Sequence, residues 1–354
     1  MAQALMQMAR RAKWHLFHLT RTSLWALLPL VVRRHLCSAA FAMLEKPGDS
    51  KGVYDSKELR VVSYNVCGFG AGFGEADEAK VTDVYGKLRE DLSVLKPDLI
   101  CLNEVKRLKL RDPEGNLRDD SLEALAEDLD EMEYFFAHAN PGYDDFGNAM
   151  LVGKRLQVIH CDSVHLDGGS VISLGSGATK HIGRGCISVC VSMHERRFAL
   201  LGTHWDHISE AERRKQANSL LLHSPQLSHK LPHLVLGDLN AMKRADYNRQ
   251  EWAALDARNK AKHWAPPEDS SALVDLEMAG YRDLHQRPRD TFASWLGMTA
   301  KKDPPWTKPG DPPARIDYIY ASKDFGEVGV IKAAFAAKAT GSDHLPLVAD
   351  VLLA

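Results

Sequence analysis

Six short motifs along the chain share one design, an apolar run that opens or closes on a polar or ionisable residue. In order they are VSYNV, LNEV, GTHW, LGDLN, RIDYIY and GSDHLPLV. The residues they place at the ends of apolar runs are Asn65, Glu104, His204, Asp238 with Asn240, Asp317, and Asp343 with His344. The run LICLNEV is apolar on both faces, as in a strand covered from two sides. An ionised carboxylate beside such a core must find a partner. Two amides, four carboxylates and two imidazoles at strand ends therefore read as the parts of one site. Their chemistry suits a hard divalent cation and a phosphate ester.

Between the motifs, strand and helix patterns alternate. Strands are expected over residues 59–66, 98–105, 134–138, 149–152, 156–164, 185–193, 198–204, 233–237, 315–321, 328–336 and 347–353. A helix is expected over residues 75–95, where Val81, Val84, Leu88, Leu92 and Leu95 form one stripe. A second is expected over 121–132 with Ser121 as N-cap, and a third over 209–223, where Ser209 followed by Glu212 is a start signal. Residues 244–278 read as mostly helical, interrupted at 261–269. The glycine-rich stretch 67–74 lacks the Lys and Ser/Thr of a phosphate-cradling loop and reads as a rim connection. Residues 301–313 are too rich in Pro to hold regular structure and read as a loop near the site. Several direct strand-to-strand steps among the helices imply an α/β fold of two packed mixed sheets with helices outside.

The first 44 residues hold six Lys/Arg and no acid, which leaves 39 basic and 47 acidic residues elsewhere, a formal net charge of −8. An acidic body is a poor long-range attractor for a polyanion. It argues against a processive or non-specific nuclease, although the run KRLKLR at 106–111 could steer a phosphate locally. The longest apolar stretch of the N-terminal segment, residues 24–32, includes Pro29 and is too short to span a bilayer. Charges lie on both its sides, unlike a secretory signal. The segment reads as a mitochondrial presequence processed near residues 33–36. The alternatives are an addressless surface helix on a cytoplasmic protein and an amphipathic helix lying on a membrane. Residues 45–57 read as a polar linker, so the division is 1–57 and a catalytic domain 58–354. The six cysteines show no metal-site or disulfide spacing, which points to a reducing compartment.

Glu104 is the best direct ligand for Mg²⁺, with Mn²⁺ as a substitute. Asn65 suits a water-mediated or phosphate-side contact. Asp238 and Asn240 lie two apart, so in extended backbone they face one way and could orient a water for in-line attack on phosphorus. His204 and His344 could donate a proton or bear charge on a phosphate oxygen. Asp317, inside a strand, needs a buried partner, and a ring nitrogen of His344 is the expected one. Arg213 and Gln216 could brace the site, and Asp206 and His207 could line its rim. Asn148 reads as a polar sheet position, and Arg184 could reach a phosphate. Trp295 and Trp306 could stack a base or line a lipid groove.

The order and spacing of these motifs, from about residue 59 to 353, resemble those of the endonuclease/exonuclease/phosphatase superfamily, the DNase I-like metal-dependent phosphodiesterases. The resemblance implies a four-layer α/β sandwich. It also implies Asp343 as a second metal carboxylate, His344 on the scissile phosphate, and His204 at the leaving group or phosphate oxygens. GDLN and GSDHLPL look like the nuclease branches. The His in GTHW differs from the Tyr usual in abasic-site enzymes, and the inositol-phosphatase continuation GDxNxR is absent, since Ala241 and Met242 follow Asn240. No membrane-inserting hairpin of the sphingomyelinase type is evident. The expected partner is a nucleic acid or a nucleotide-like phosphodiester, with no obligate protein partner. The rivals are a lipid or small-molecule phosphodiesterase or phosphatase on the same fold, and a catalytically silent interaction module.

Overall fold

Hydrophobic strand runs and amphipathic helices sort the chain into layers. The computed structural model describes residues 56–71, 77–139, 145–173, 177–261, 265–285, 307–309 and 312–354. Trp295, Trp306 and the N-terminal segment lie outside these residues. In chain order the elements are β1 (Glu58–Asn65), α1 (Glu78–Leu95), β2 (Leu99–Lys106), β3 (Leu110–Arg111), β4 (Leu117–Arg118), α2 (Ser121–Asp128), β5 (Glu133–His138), β6 (Phe146–Val152) and β7 (Gln157–Leu166). There follow β8 (Val171–Ser173), β9 (Thr179–His181), β10 (Arg184–Met193), β11 (Arg196–Thr203), α3 (Glu210–Leu227) and β12 (His233–Asp238). The last are α4 (Arg249–Ala261), α5 (Ser271–Met278), β13 (Arg282–Asp283), β14 (Asp317–Ala321), β15 (Gly329–Ala336) and β16 (Leu347–Leu353).

Two six-stranded sheets form, ordered β15-β16-β1-β2-β6-β5 and β13-β14-β12-β11-β10-β7. Both are mixed. β1 and β2 run parallel in the first, β11 and β12 in the second, and their other neighbours are antiparallel. The inner faces meet in a core that includes Val61, Leu99, Met150, Val189, Phe198, Leu236, Ile319 and Val351. α1 and α2 cover the outer face of the first sheet through Tyr85, Leu88, Leu92 and Leu125. α3 and α5 cover the second through Ala217, Leu220, Leu273 and Leu276. This is the expected four-layer arrangement.

Of the two expected N-caps, Ser209 holds and Ser121 does not. Ser209 caps α3 by accepting from the Glu212 N–H. α2 departs from expectation. Its cap is Asp120, whose carboxylate accepts from the N–H groups of Leu122 and Glu123. Ser121 is instead fully buried, and its hydroxyl bonds the Lys106 carbonyl. An Asp and a Ser are both good caps, and tertiary packing decides between neighbours. α3 also runs past the expected stop at 223 and through Pro225 to Leu227.

Parallel strands end at the same edge of a sheet. The C-terminal ends of β1 and β2 therefore lie together, as do those of β11 and β12. β14, antiparallel to β12, starts where β12 stops, with Asp317 opposite Asp238. Glycine permits close approach here. Gly237 has φ +145°, and a Cβ there would lie 1.8 Å from the Thr203 carbonyl oxygen. Any other residue would push the end of β12 away from β11.

Candidate active site

Asn65 closes β1, and its side chain is a bracket. Its Nδ2 donates to Glu104 Oε1 at 3.1 Å and to Asp238 Oδ2 at 3.0 Å, joining one carboxylate from each sheet. Its Oδ1 accepts from the Cys67 N–H at 3.0 Å. Glu104 lies within β2 at a bulge between Leu102 and Val105, with φ +53°. The bulge swings its carboxylate toward the site. A left-handed non-glycine residue costs of order 1 kcal/mol and has to be held by its surroundings. Asn240 and Cys67 share this conformation, both at φ +48°.

Asp238 ends β12 almost wholly buried. Its backbone N–H donates to Asn103 Oδ1 at 2.8 Å, and its Oδ1 accepts from the Asn240 N–H at 2.9 Å. Burial, and then the neighbouring Asp317, raise its pKa above the usual carboxylate value. Asp317 Oδ2 accepts from His344 Nδ1 at 2.9 Å, the expected pair, between side chains 1% and 2% exposed. Asp317 Oδ1 is buried with no hydrogen-bond partner.

The two histidines sit in opposite fields. Burial, followed by the charge of Arg184, holds His204 well below the ordinary imidazole pKa. Arg184 only donates, so its 3.1 Å contact makes His204 Nδ1 an acceptor and puts the ring proton on Nε2. That nitrogen lies 3.6 Å from Asp238 Oδ2 and 3.8 Å from Glu104 Oε1. Asn240 Nδ2 lies 3.0 Å from the same nitrogen and donates to the Trp205 carbonyl at 3.1 Å. Burial also opposes charge on His344, but Asp317 and then Asp238 outweigh it and raise the pKa to about 9. Lys308 Nζ, 2.9 Å from His344 Nε2, requires a lone pair on that nitrogen. A doubly protonated ring and this contact exclude each other, so protonation of His344 releases Lys308 to Asp343 alone, 3.0 Å away.

Glu104, His204 and Asp238 form one group of ligand atoms within 4.8 Å of one another, and Asp238, Asp317 and His344 form another. These carboxylate oxygens and imidazole nitrogens, with an unpartnered carboxylate oxygen on Asp317, are donors that could hold a divalent cation. Asp343 is the outlying carboxylate. It is exposed, belongs to neither group, and pairs with Lys308.

Other expected residues stand behind this centre. Arg184 is buried, and its two terminal nitrogens go to His204 and to His207 Nδ1 at 3.2 Å. It orients the two imidazoles. Asp206 accepts from the N–H groups of Ser170, Ile208 and Ser209. Gln216 holds the Asp206 N–H, and Arg213 the Asp206 carbonyl. Together they fix the turn after β11. Asn148 accepts from Asn103, which also donates to the Thr203 carbonyl. The basic run 106–111 is largely neutralised, because Arg107, Lys109 and Arg111 pair with Asp120, Asp119 and Glu78.

Three residues at the site escaped the sequence reading. Asn103, inside LNEV, had a signal: a buried amide beside Glu104 must find partners. Thr307 and Lys308 had none, since they lie in a proline-rich loop without periodicity.

Residues 62–344 match the Endonuclease/Exonuclease/phosphatase family. No curated protein sequence matches the chain. Among solved structures, the human Nocturnin catalytic domain with bound sulfate is similar at 18% identity and a TM-score of 0.56, covering 85% of this chain and 96% of its own. An endonuclease/exonuclease/phosphatase from Bacteroides vulgatus is similar at 15% identity and a TM-score of 0.54, covering 84% and 99%. A humanized D. rerio TDP2 is similar at 17% identity and a TM-score of 0.51, covering 84% and 99%. These likenesses give the fold, a DNase I-like sandwich. The match over most of the length, together with the strand-end residues assembled above, makes the chain a member of the endonuclease/exonuclease/phosphatase family.

Proposed function

We propose that this protein is a divalent-cation-dependent phosphodiesterase that hydrolyses a nucleotide-like phosphodiester by in-line attack of water. The observation that carries this reading is the convergence of Asn65, Glu104, His204, Asp238, Asn240, Asp317 and His344 at one edge of both sheets. Glu104, bracketed by Asn65, would hold the cation, and Asp343 would supply a second carboxylate. Bound there, Mg²⁺ would neutralise charge developing on the phosphoryl oxygens. Asp238 and Asn240 orient the attacking water, and Asp238 takes its proton. His344, fixed by Asp317, bears on a phosphate oxygen, while neutral His204 offers its Nε2 proton.

The neutralised run 106–111 and the acidic body favour a short or end-bound substrate over a long duplex. A silent interaction module has no use for a buried carboxylate oxygen left unpartnered. The test is a panel of bis-p-nitrophenyl phosphate, single-stranded, duplex and 3′-end oligonucleotides, and phospholipids, each with Mg²⁺, Mn²⁺ or EDTA. Cleavage of nucleic-acid ends that EDTA abolishes is expected. Cleavage of phospholipids alone would move the protein to the lipid branch, and no cleavage at all would refute the enzyme reading.

A further inference from the structure

Lys308 belongs to no motif, yet its backbone is built into the site. Its N–H and carbonyl pair with Ala314, closing the loop between them. The preceding Thr307 hydroxyl accepts from the N–H groups of Ile316 and Asp317 at 3.1 and 3.0 Å. The Thr307 carbonyl accepts from the Leu345 N–H at 2.6 Å. The Thr307–Lys308 pair is thus stitched on one side to the strand that bears Asp317 and on the other to the segment that bears Asp343 and His344. A surface lysine is rarely anchored this way.

The ammonium has three N–H donors. One meets His344 Nε2 at 2.9 Å and one meets Asp343 Oδ2 at 3.0 Å. The third has no partner among the described residues. Electrostatics also single this group out. Glu104, Asp238, Asp317 and Asp343 make the site strongly negative, and a phosphodiester anion entering it meets four carboxylates. Arg184 is less open to it, because it is buried against His204 and His207. Among the described residues, Lys308 is the cation beside His344 that keeps a free donor and is partly open to solvent.

We propose that Lys308 is a substrate-binding residue whose ammonium takes a non-bridging oxygen of the scissile phosphate. Before substrate arrives its ion pair is with Asp343. The phosphate oxygen then takes a free donor of the ammonium, while His344 Nε2 makes its own contact with phosphate. This inference rests on the phosphodiesterase reading for its substrate, but phosphate binding tests it separately.

The experiment uses the full chain and its Lys308→Met and Lys308→Arg variants, with thermal melting to confirm folding. Three quantities are read: KM and kcat for bis-p-nitrophenyl phosphate with Mg²⁺, inorganic phosphate affinity by calorimetry, and Mg²⁺ affinity by calorimetry. Lys308→Met should raise KM and weaken phosphate binding together by about ten- to a hundredfold, the value of a hydrogen bond to a charged group. Mg²⁺ affinity should change little, and Lys308→Arg should recover most of the loss. Unchanged phosphate affinity in a folded Lys308→Met overturns the proposal, as does an effect on Mg²⁺ affinity alone, which would make Lys308 a positioner of Asp343. A wild type that binds phosphate through Lys308 but cleaves nothing would refute the phosphodiesterase reading and leave Lys308 as an anion-binding residue. A wild type that binds no phosphate would overturn the Lys308 assignment.

Discussion

Replacing Asp317 by Asn tests whether Asp317 and His344 work as one unit. Both side chains are buried, and Oδ2 lies 2.9 Å from Nδ1. At an effective dielectric constant of about 20, two unit charges 4 Å apart interact by about 4 kcal/mol. The amide oxygen of Asn can still accept from Nδ1–H, so the charge is lost while the hydrogen bond survives. About 3–4 kcal/mol of stabilisation of a charged imidazole should therefore go, which is about two to three powers of ten in kcat/KM. His344→Ala removes the group that Asp317 serves and should cost at least as much. If the carboxylate acts only through the ring, the double variant should be little worse than the worse single variant. The assay is a double-mutant cycle on kcat/KM, with circular dichroism to confirm folding. NMR of the metal-free protein should show His344 titrating near 9 in the wild type and clearly lower in Asp317→Asn, because removing a nearby carboxylate lowers an imidazole pKa. Multiplicative losses in the cycle, or an unmoved His344 titration, would refute the coupling and return Asp317 to a structural role.

Asp238→Asn should lower kcat by about two to four powers of ten with little change in KM, since a base acts in the transition state; steady-state kinetics in a folded variant decide it. Arg315→Met should destabilise the protein by about 3–5 kcal/mol, because Arg315 is buried against Asp246 and Asp283 at 2.7 Å each. A urea midpoint equal to that of the wild type would contradict this. For the N-terminal segment we propose a mitochondrial address on sequence grounds. A fluorescent fusion of residues 1–50 should enter mitochondria, and a chain starting at Lys51 should keep full activity; a cytosolic fusion or an inactive truncation would each count against one half of that proposal.

The strand-end residues were legible because burying a polar group on an apolar strand is expensive, and chains do so for a reason. The two-sheet architecture was legible from strand length and from direct strand-to-strand steps. The small pairings β3–β4 and β8–β9 were not, since two- and three-residue strands carry no periodicity. The sequence does not single out Asp120 as the cap of α2, because Asp120 and Ser121 are equally good local signals, and only packing against Lys106 distinguishes them. The sequence suggests Arg184 as a phosphate contact, and in the structure its terminal nitrogens meet two histidines. Its chemistry was visible in the sequence, but the direction of its side chain depends on the β10–β11 pairing. Lys308 was beyond reach, because a proline-rich loop shows where regular structure stops and not where the chain returns.

Two buried charged clusters in the same molecule make an instructive contrast. Around Arg315, each charged group meets an opposite one: Arg315 and Lys243 face Asp246, Asp283 and Glu277, and the aromatic ring of Tyr318 lies 4.4 Å under the guanidinium. Asp283, although buried, stays below the usual carboxylate pKa, because Arg315 and Lys243 overcome the cost of burial. At the strand ends the balance fails. Asp238 faces Asp317 across the β12–β14 pair, and its pKa rises rather than falls. Asp317 keeps an oxygen without a partner, and Cys67, Glu104 and Asn240 hold left-handed backbone around them. A cluster that serves only stability would evolve toward the first arrangement, since uncompensated buried charge is costly. Local rules broken together in one place, on an otherwise consistent fold, mark where a sequence gives up stability for chemistry. The missing positive charge is what a divalent cation would supply from solution, with Lys308 at the rim.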